Sequence, residues 1–289
     1  MQSVVNILSW NIQWGRGADG RVDLERTVAA IRAAGAFDVI CLQEVAVNFP
    51  GLPGGAREDE PGFFARAFPG HAAVFGAGVD VPDGEGGRAF FGNLVLSSSP
   101  MGQVFRHLLP APADPGLPSM QRTCVEVVVQ APWGALRVMT THLEYYSELQ
   151  RQAQVQALWA LQAGLATQAR LPEKRSEREA NATFAAWPRP AAALLCGDFN
   201  CEPGSPEHQR MQAAAAVDGV PVWLDAWTIA HPGAAHAPSV GVHGAEWPGR
   251  AYCCDFFFVS PELAPRVRAV RVLEDTSASD HQPVVLELG

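Results

Sequence analysis

The chain has 289 residues, of which 48% are hydrophobic and 18% charged. These values are typical of a globular protein that buries a large core, and they exclude a chain disordered from end to end. The net charge of -9 gives no support for broad attraction to nucleic acid or to anionic lipid. A small cationic site or a bound metal still recruits phosphate on an acidic protein. Since Lys174 is the only lysine, a phosphate clamp must use arginine, a metal or backbone amides.

The N-terminal stretch has no basic start, no long apolar run and no small-residue cleavage site: it reads Met1-Gln2-Ser3-Val4-Val5-Asn6-Ile7-Leu8. It therefore predicts a first strand rather than a signal peptide. No window reaches the roughly 18 apolar residues of a membrane span. We expect a cytoplasmic protein with no transmembrane segment.

Short apolar runs rich in β-branched or aromatic residues, and bounded by Gly, Pro or Asp, predict strands along the whole chain. In chain order they are Val4–Ser9, Asp38–Gln43, Asn93–Ser97, Cys124–Gln130, Leu136–Thr141, Ala192–Cys196, Asp255–Val259, Val267–Val272 and Val284–Leu288. The fourth and fifth runs predict a hairpin that turns at Ala131-Pro132-Trp133-Gly134.

Apolar side chains at helical spacing predict one helix after Asp23 and a second from Glu148 onward. Residues 50–62 and 80–88 are rich in Gly, Pro and acidic residues, which predicts surface loops. The mixed-charge run at 173–179 predicts a solvated face or a mobile insertion. No shift of composition marks a domain boundary, so we expect a single catalytic domain over residues 1–289.

The six cysteines include no CxxC pair, and most of them sit in or beside apolar strand-like runs. This pattern predicts buried, reduced thiols. A zinc site is the alternative, but the cysteine spacing does not favour it.

Polar residues recur where apolar strands end or begin. Those residues are Asn11, Glu44, His142, Asp198, Asn200, Asp280 and His281. A single Asp after a strand is usually a turn residue, but several on different strands can converge at one rim of a sheet core. Carboxylates and amides with two histidines suit hard cations such as Mg²⁺ or Mn²⁺, which commonly serve phosphoryl chemistry.

The sequence resembles the endonuclease/exonuclease/phosphatase superfamily, and most closely its deoxyribonuclease/sphingomyelinase-like branch. The motifs that carry the resemblance lie in the family's order and span nearly the whole chain. They are Leu8-Ser9-Trp10-Asn11-Ile12, Leu42-Gln43-Glu44-Val45, Gly92-Asn93-Leu94-Val95-Leu96-Ser97, Thr141-His142-Leu143-Glu144, Gly197-Asp198-Phe199-Asn200, Asp255-Phe256-Phe257-Phe258-Val259-Ser260 and Ser279-Asp280-His281-Gln282-Pro283.

The resemblance implies an α/β fold, a four-layered α/β sandwich in which two mixed β-sheets pack face to face with helices outside. It also implies a divalent-metal-dependent hydrolase of phosphoester bonds that uses Mg²⁺ or Mn²⁺. In this pattern Glu44 is the main metal ligand, Asn11 lies beside it, and Asp280 binds the metal directly or through water.

The resemblance further implies the catalytic residues. His281 would lie over the scissile phosphorus, with Asp255 accepting its other ring N–H. Asp198 would position or deprotonate the attacking water, and Asn200 would bind a phosphate oxygen. His142 would contact phosphate or protonate the leaving oxygen. Whether His281 or Asp198 takes the proton stays open at this point.

Two further residues are candidates for substrate binding. Asn93 stands where the branch places a histidine-orienting amide or carboxylate, and Arg122, just before a strand, is a candidate phosphate clamp. The stretch Tyr252-Cys253-Cys254 departs from the family, since many relatives carry a basic residue there. The Trp-x-Asp-Arg signature of inositol 5-phosphatases is absent from the sequence.

The sequence leaves the substrate open among a phosphorylated small molecule, a phospholipid head group and nucleic acid. The lack of a basic stripe favours a small or lipid phosphate. The alternative to an enzyme is a catalytically inactive module of the same fold that binds a phosphate ligand. A zinc hydrolase would need clustered His and Cys ligands, which the spacing does not predict.

Overall fold

The computed structural model describes residues 4–171, 182–215, 219–244 and 249–289, so the mixed-charge run at 173–179 lies outside the described residues. The strands are β1 (Val5–Asn11), β2 (Val39–Val47), β3 (Ala72–Pro82), β4 (Arg88–Ser97), β5 (Met101–Leu108), β6 (Thr123–Ala131), β7 (Gly134–His142), β8 (Ala193–Asp198), β9 (Leu224–Asp225), β10 (Asp255–Val259), β11 (Val267–Val272) and β12 (Val284–Leu288). The α-helices are α1 (Leu24–Ala34), α2 (Glu60–Ala67), α3 (Glu148–Gln168), α4 (Pro206–Met211) and α5 (Ala226–Ala230).

The strands form two six-stranded mixed sheets. The first has the order β11-β12-β1-β2-β4-β3 and the second the order β5-β6-β7-β8-β10-β9. Each sheet contains one central parallel pair, β1 with β2 and β7 with β8, and its other pairs are antiparallel. The chain therefore builds two similar half-structures, each with a parallel pair at its middle.

Side-chain alternation along the central strands explains how the layers stack. In β1, Ile7 faces the core between the sheets, whereas Leu8 faces the opposite side with α1. In β8, Leu194 faces the same inter-sheet core, whereas Leu195 packs on the side of α3. Successive residues of a strand point to opposite faces, so strands buried on both sides read as continuous apolar runs. The predicted four-layered α/β sandwich is confirmed.

The two predicted helices form where capping residues precede the apolar stripe. The Asp23 side chain accepts the backbone N–H of Arg26 at the start of α1, and the Ser147 side chain accepts that of Gln150 at the start of α3. These bonds satisfy orphan N–H groups of the first helical turn.

The strand ends that carry the motifs meet at one rim. The carboxyl ends of β1, β2, β7 and β8 lie there together with the start of β10, since Asp198 pairs with both His142 and Asp255 in the strand register. The sheets are joined near this rim by a buried hydrogen bond of 2.8 Å from Gln43 Nε2 to Thr140 Oγ1.

The structure contains elements that the sequence patterns did not predict. The missed strands are β3, β5 and β9, and the missed helices are α2, α4 and α5. β3 and β5 are half-exposed edge strands whose apolar residues are interrupted by glycine, at Gly76 and Gly78 in β3 and at Gly102 in β5, so each apolar run is short. The predicted loop at 50–62 ends inside α2, and the one at 80–88 shortens to a turn between β3 and β4.

The predicted hairpin is confirmed as β6 and β7, with Ala131 opposite Gly134. All six cysteines are buried and free, as predicted. Among the described residues, no helix combines the length and the apolar character that crossing a membrane requires.

Candidate active site

Asn11 ties the two sheets together at the rim. Its amide nitrogen donates to Glu44 Oε1 at 2.9 Å and to Asp198 Oδ2 at 3.1 Å. Glu44 has a φ of 58°, and the β2–β4 register shifts between Leu42 and Val45. Such a bulge redirects a side chain, and left-handed backbone at a non-glycine residue is a strained conformation that clusters at functional sites. The geometry thus points Glu44 toward the other carboxylates.

Negative charge is concentrated around Glu44. Burial and the charge of Asp280 raise the pKa of Glu44 to about 7. Asp280 accepts hydrogen bonds from Gln13 Nε2 at 2.9 Å and from Ser279 Oγ at 3.2 Å. Clustered carboxylate and amide oxygens are the donor set of Mg²⁺ and Mn²⁺, and a divalent cation would neutralise this charge. Asn11, Glu44 and Asp280 therefore fit the predicted metal.

His281 is held by a carboxylate, as predicted. Its Nδ1 lies 2.8 Å from Asp255 Oδ2, and its Nε2 lies 3.6 Å from Asp198 Oδ2. Burial alone would lower the pKa of His281, but the charges of Asp255 and Asp198 raise it well above the ordinary value. The two carboxylates therefore favour the protonated form of the ring.

His142 approaches Asp198 from the other side. Its Nε2 lies 3.4 Å from Asp198 Oδ2 and 3.0 Å from the amide nitrogen of Asn200. Burial, with the positive charges of Arg122 and His281, lowers the pKa of His142 well below its ordinary value. The two histidines thus converge on the Asp198 carboxylate, and their surroundings shift the pKa values of the two rings in opposite directions.

Asp198 lies between the two rings. Burial raises the pKa of Asp198 to about 6, although the charge of His281 opposes the shift. Its Oδ1 accepts the backbone N–H of Asn200 at 2.9 Å, and Asn200 itself has a φ of 49°. The carboxylate is thus held at both oxygens, with a pKa close to neutral pH.

Asn93 and Arg122 lie on the far side of His142. All three residues line one small cavity. The amide nitrogen of Asn93 donates to the backbone oxygen of Thr123 at 2.9 Å. Arg122 is buried and pairs through Nε with Glu144 at 3.2 Å, while its Nη1 has no hydrogen-bond partner among the described residues. Their predicted substrate contacts stay predictions.

The patterns missed two residues of the site. Gln13 holds Asp280, and its own backbone N–H donates to Asn11 Oδ1 at 3.1 Å. Ser239 Oγ donates to Asp255 Oδ2 at 2.7 Å. Gln13 follows the first motif by one residue, which is a weak signal. Ser239 lies in a Gly/Pro-rich loop, and only the fold brings it to β10.

Histidine, cysteine and carboxylate ligands do cluster in space, contrary to the expectation from spacing. One cluster is Asp198, Cys254 and His281, and the other is His208, Asp225 and His236. Cys254 Sγ lies 3.5 Å from the same Asp255 oxygen that contacts His281. In the second cluster His208 Nδ1 accepts the Gly204 N–H at 3.2 Å. A neutral His208 ring therefore carries its proton on Nε2, which turns toward Asp225 as a donor rather than as a metal ligand.

Solved structures share this fold. An endonuclease/exonuclease/phosphatase from Beutenbergia cavernae DSM 12333 is 25% identical, with a TM-score of 0.68 over 99% of this chain and 72% of that one. A mannosyl-6-phosphatase from Bacteroides thetaiotaomicron VPI-5482 is 17% identical, with a TM-score of 0.68 over 99% of each chain. D. rerio TDP2, solved with a single-strand DNA product, is 17% identical, with a TM-score of 0.61 over 100% of each chain.

The sequence comparisons fix the family. A search of curated proteins finds no match. The model of the Endonuclease/Exonuclease/phosphatase family matches residues 8–281, which run from the first strand motif to the histidine at the rim. The chain therefore belongs to the endonuclease/exonuclease/phosphatase family.

Proposed function

We propose that the protein is a divalent-metal-dependent hydrolase of phosphoester bonds. The observation that carries the proposal is the placement of Asp198, whose Oδ2 lies within 3.6 Å of ring nitrogens of both His142 and His281. A carboxylate whose pKa is near neutral can accept a proton from the attacking water. The His281 and His142 rings on its two sides can then stabilise the negative charge that develops on the phosphate.

Each rim residue has a role that follows from its protonation and contacts. A Mg²⁺ or Mn²⁺ ion held by Asn11, Glu44 and Asp280 would neutralise phosphate charge and orient a phosphate oxygen. Asp198 takes the proton of the attacking water, because its pKa of about 6 leaves it ionised near neutral pH. His281, whose pKa the neighbouring carboxylates raise, acts as an imidazolium and donates from Nε2 to the phosphate as negative charge accumulates.

Asp255 and His142 support these steps. Asp255 keeps the proton of His281 on Nδ1 and stabilises the imidazolium. His142 is neutral, which favours contact with the phosphate over protonation of the leaving oxygen. Asn200, which touches His142, binds a phosphate oxygen once substrate enters. This division assigns the base to Asp198, a choice that the sequence left open.

The alternative is a phosphate-binding module that has lost turnover. A module that only binds phosphate has no need for a buried carboxylate with a near-neutral pKa, since negative charge there repels the ligand. The solved neighbours include a sugar phosphatase and a protein with a DNA product, so the fold does not select among the substrate classes.

A panel of phosphomonoesters, phosphodiesters and oligonucleotides tests the function, with Mg²⁺, Mn²⁺ or EDTA present. We expect turnover with either metal and none in EDTA. Glu44→Gln should lower kcat/KM on the order of 100-fold and remove the thermal stabilisation that added Mg²⁺ gives the wild type.

Glu287→Gln is the matched control, since Glu287 lies on β12 opposite Asn6, toward the other end of β1 from Asn11. It should retain both activity and the Mg²⁺ response. Binding of phosphoesters without hydrolysis of any of them would favour the inactive module.

A further inference from the structure

The end of β2 that carries Glu44 extends beyond its neighbour β1. Just before Glu44, the Ile12 N–H donates to the backbone oxygen of Gln43 at 3.2 Å, where β1 still lies beside β2. β1 ends at Asn11, whereas β2 continues to Val47. Another part of the chain must therefore hold the last residues of β2 along this edge.

Residues 58–60 take the place of β1 there. The Asn48 N–H donates to the backbone oxygen of Glu58 at 3.0 Å, and Val47 forms an antiparallel bridge with Asp59. Since β4 already pairs with the other edge of β2, this short segment lies along the edge that β1 leaves. The end of β2 is thus bounded on both edges.

A side chain completes this pairing where the chain turns into α2. The Ala46 N–H donates to Glu60 Oε2 at 2.9 Å, and Glu60 is only 1% exposed although it follows an acidic, Gly/Pro-rich stretch. Burial raises the pKa of Glu60 to about 8, and the hydrogen bond from Ala46 opposes the shift. The neutral carboxyl is therefore favoured at neutral pH, so that Glu60 contributes a hydrogen bond more than a charge.

The bond from Ala46 lies two residues after the strained residue of the bulge. Glu44 has a φ of 58°, and such a conformation persists at a non-glycine residue only where the surrounding structure holds it. The hydrogen bonds of Gln43 and Ala46 flank Glu44 on its two sides. Loss of the second bond would let the bulge relax and would move the Glu44 carboxylate away from Asn11, its partner at 2.9 Å.

We propose that Glu60 is a positioning residue for the metal site: by accepting the Ala46 N–H, it holds the bulge that turns Glu44 toward the divalent cation. The inference rests on the proposed metal-dependent hydrolysis and adds to it a residue that acts on the metal through Glu44. Hydrogen-bond partners that orient a metal ligand commonly change metal affinity by about 10-fold to 100-fold when they are removed.

The test measures the Kd of Mn²⁺ by electron paramagnetic resonance, at a temperature where circular dichroism shows each variant to be folded. Glu60→Met has a side chain of similar length without the acceptor and should raise this Kd by about tenfold. Its kcat/KM should fall at low Mn²⁺ and recover most of the wild-type value at saturating Mn²⁺, because Glu44 is still present. A purely structural role of Glu60 would lower stability without changing the Kd.

Two further variants and a control locate the effect. Glu60→Gln keeps an oxygen acceptor and should bind Mn²⁺ within about twofold of the wild type. Glu60→Asp draws the carboxyl back from Ala46 and should raise the Kd, which gives a second measurement if the methionine variant folds poorly. Asp38→Ala is the control, since Asp38 Oδ2 accepts the Asn6 N–H at 2.8 Å just before the opposite end of β2. It should lose stability and keep the wild-type Kd.

Glu44→Gln separates the two proposals. A Kd that rises in Glu44→Gln but stays unchanged in Glu60→Met and Glu60→Asp would leave the metal site in place and overturn the role of Glu60. An equal rise in Glu60→Gln and Glu60→Met would also overturn that role, because the charge of Glu60 rather than its hydrogen bond would then attract the metal. Mn²⁺ binding that Glu44→Gln leaves unchanged would refute the proposed metal site itself, and the positioning role with it.

Discussion

Two buried clusters of histidine and carboxylate lie at opposite ends of β10. One is the rim cluster, which contains Asp255, Asp198 and His281. The other is the Asp225 cluster, in which Asp225 pairs in register with Phe258 and contacts His208 and His236. The two are built from the same residue types, yet their electrostatics are opposite.

The Asp225 cluster is closed. Asp225 Oδ2 accepts from His208 Nε2 at 2.9 Å and from His236 Nε2 at 2.7 Å, while Oδ1 accepts the Trp227 N–H at 2.8 Å. Burial alone would raise the pKa of Asp225, but the hydrogen bonds from the two histidines lower it to about 2. Every carboxylate oxygen has a donor, so the cluster stabilises the fold.

The rim cluster is open. Asp255 Oδ1 is buried without a hydrogen-bond partner among the described residues, and the pKa values of Asp198 and Glu44 are raised to about 6 and about 7. The negative charges of the rim carboxylates are therefore only partly balanced by positively charged side chains and hydrogen-bond donors of the protein. Buried groups with raised pKa values cost folding free energy and are kept where they bind ligands or move protons. The Asp225 cluster is therefore closed by hydrogen bonds, whereas the rim cluster has the open carboxylate positions that the proposed function requires.

The largest expected effect is a loss of kcat when the rim carboxylate Asp198 is replaced. Asp198→Asn removes the proposed base and should lower kcat on the order of 100-fold or more. The same change should leave the urea midpoint unchanged or raise it, because a buried carboxylate with a raised pKa is a cost at neutral pH. Kinetics and urea unfolding measure the two quantities. Near-normal kcat would show that Asp198 is not the base.

Asp225→Asn should have the reverse profile, with a loss of about 2 kcal/mol in the free energy of unfolding at pH 7 and a smaller loss of activity than Asp198→Asn. Asp225 titrates near 3.8 when unfolded and near 2 when folded. Because the folded pKa is depressed, its stabilisation is present above about pH 4 and is lost as the pH falls toward 2.

Urea unfolding of both proteins across this acid range measures the difference. The two free energies should approach each other as the pH falls. A difference that stays constant from pH 7 to pH 2 would contradict the electrostatic origin.

Ser239→Ala removes one donor from Asp255 and should reduce kcat by about tenfold with little change in KM, because His281 is held less firmly. Ser260→Ala is the matched control, since the Ser260 hydroxyl accepts the Ala193 N–H just beyond the other end of β10. That variant should lose stability without the same loss of kcat. Equal kcat values in the two variants would refute a positioning role for Ser239.

Alkylation should have the smallest effect. All six thiols are buried, and burial raises the pKa of Cys254 well above its ordinary value, so iodoacetamide should change kcat less than about twofold. Cys254 is the sensitive case because its sulfur touches the Asp255 carboxylate. Rapid inactivation that substrate prevents would place this thiol in the reaction after all.

Buried strands were easier to predict from the sequence than exposed ones. Strands such as β1 and β8, buried on both faces, carry continuous apolar runs and were predicted from sequence. The edge strands β3 and β5 were not, because half-exposed positions accept many residue types. The pattern of apolar residues along the sequence therefore predicts strands that are buried on both faces, but it predicts half-exposed edge strands poorly.

The candidate site was predicted to a similar partial extent. Asn11, Glu44 and Asp198 lie at the ends of apolar strands in the motifs that carry the family resemblance, and that resemblance implied that they share one site. Ser239 gave no such signal, since a single serine in a Gly/Pro-rich loop is an ordinary loop residue. Its contact with Asp255 depends on how that loop packs.

The family and the residue types of the rim could be recognised in the sequence from its apolar runs and the short motifs at their ends, and the layered α/β fold was implied by the family resemblance. The direction of each pKa shift at the rim could not be predicted in this way, because it depends on which charges and which buried surfaces surround the group. Burial, neighbouring charges and contacts between residues far apart in the chain raise the pKa of His281 and lower that of His142. Those are properties of the electrostatic environment, which forms only when both sheets bring their strand ends to one rim.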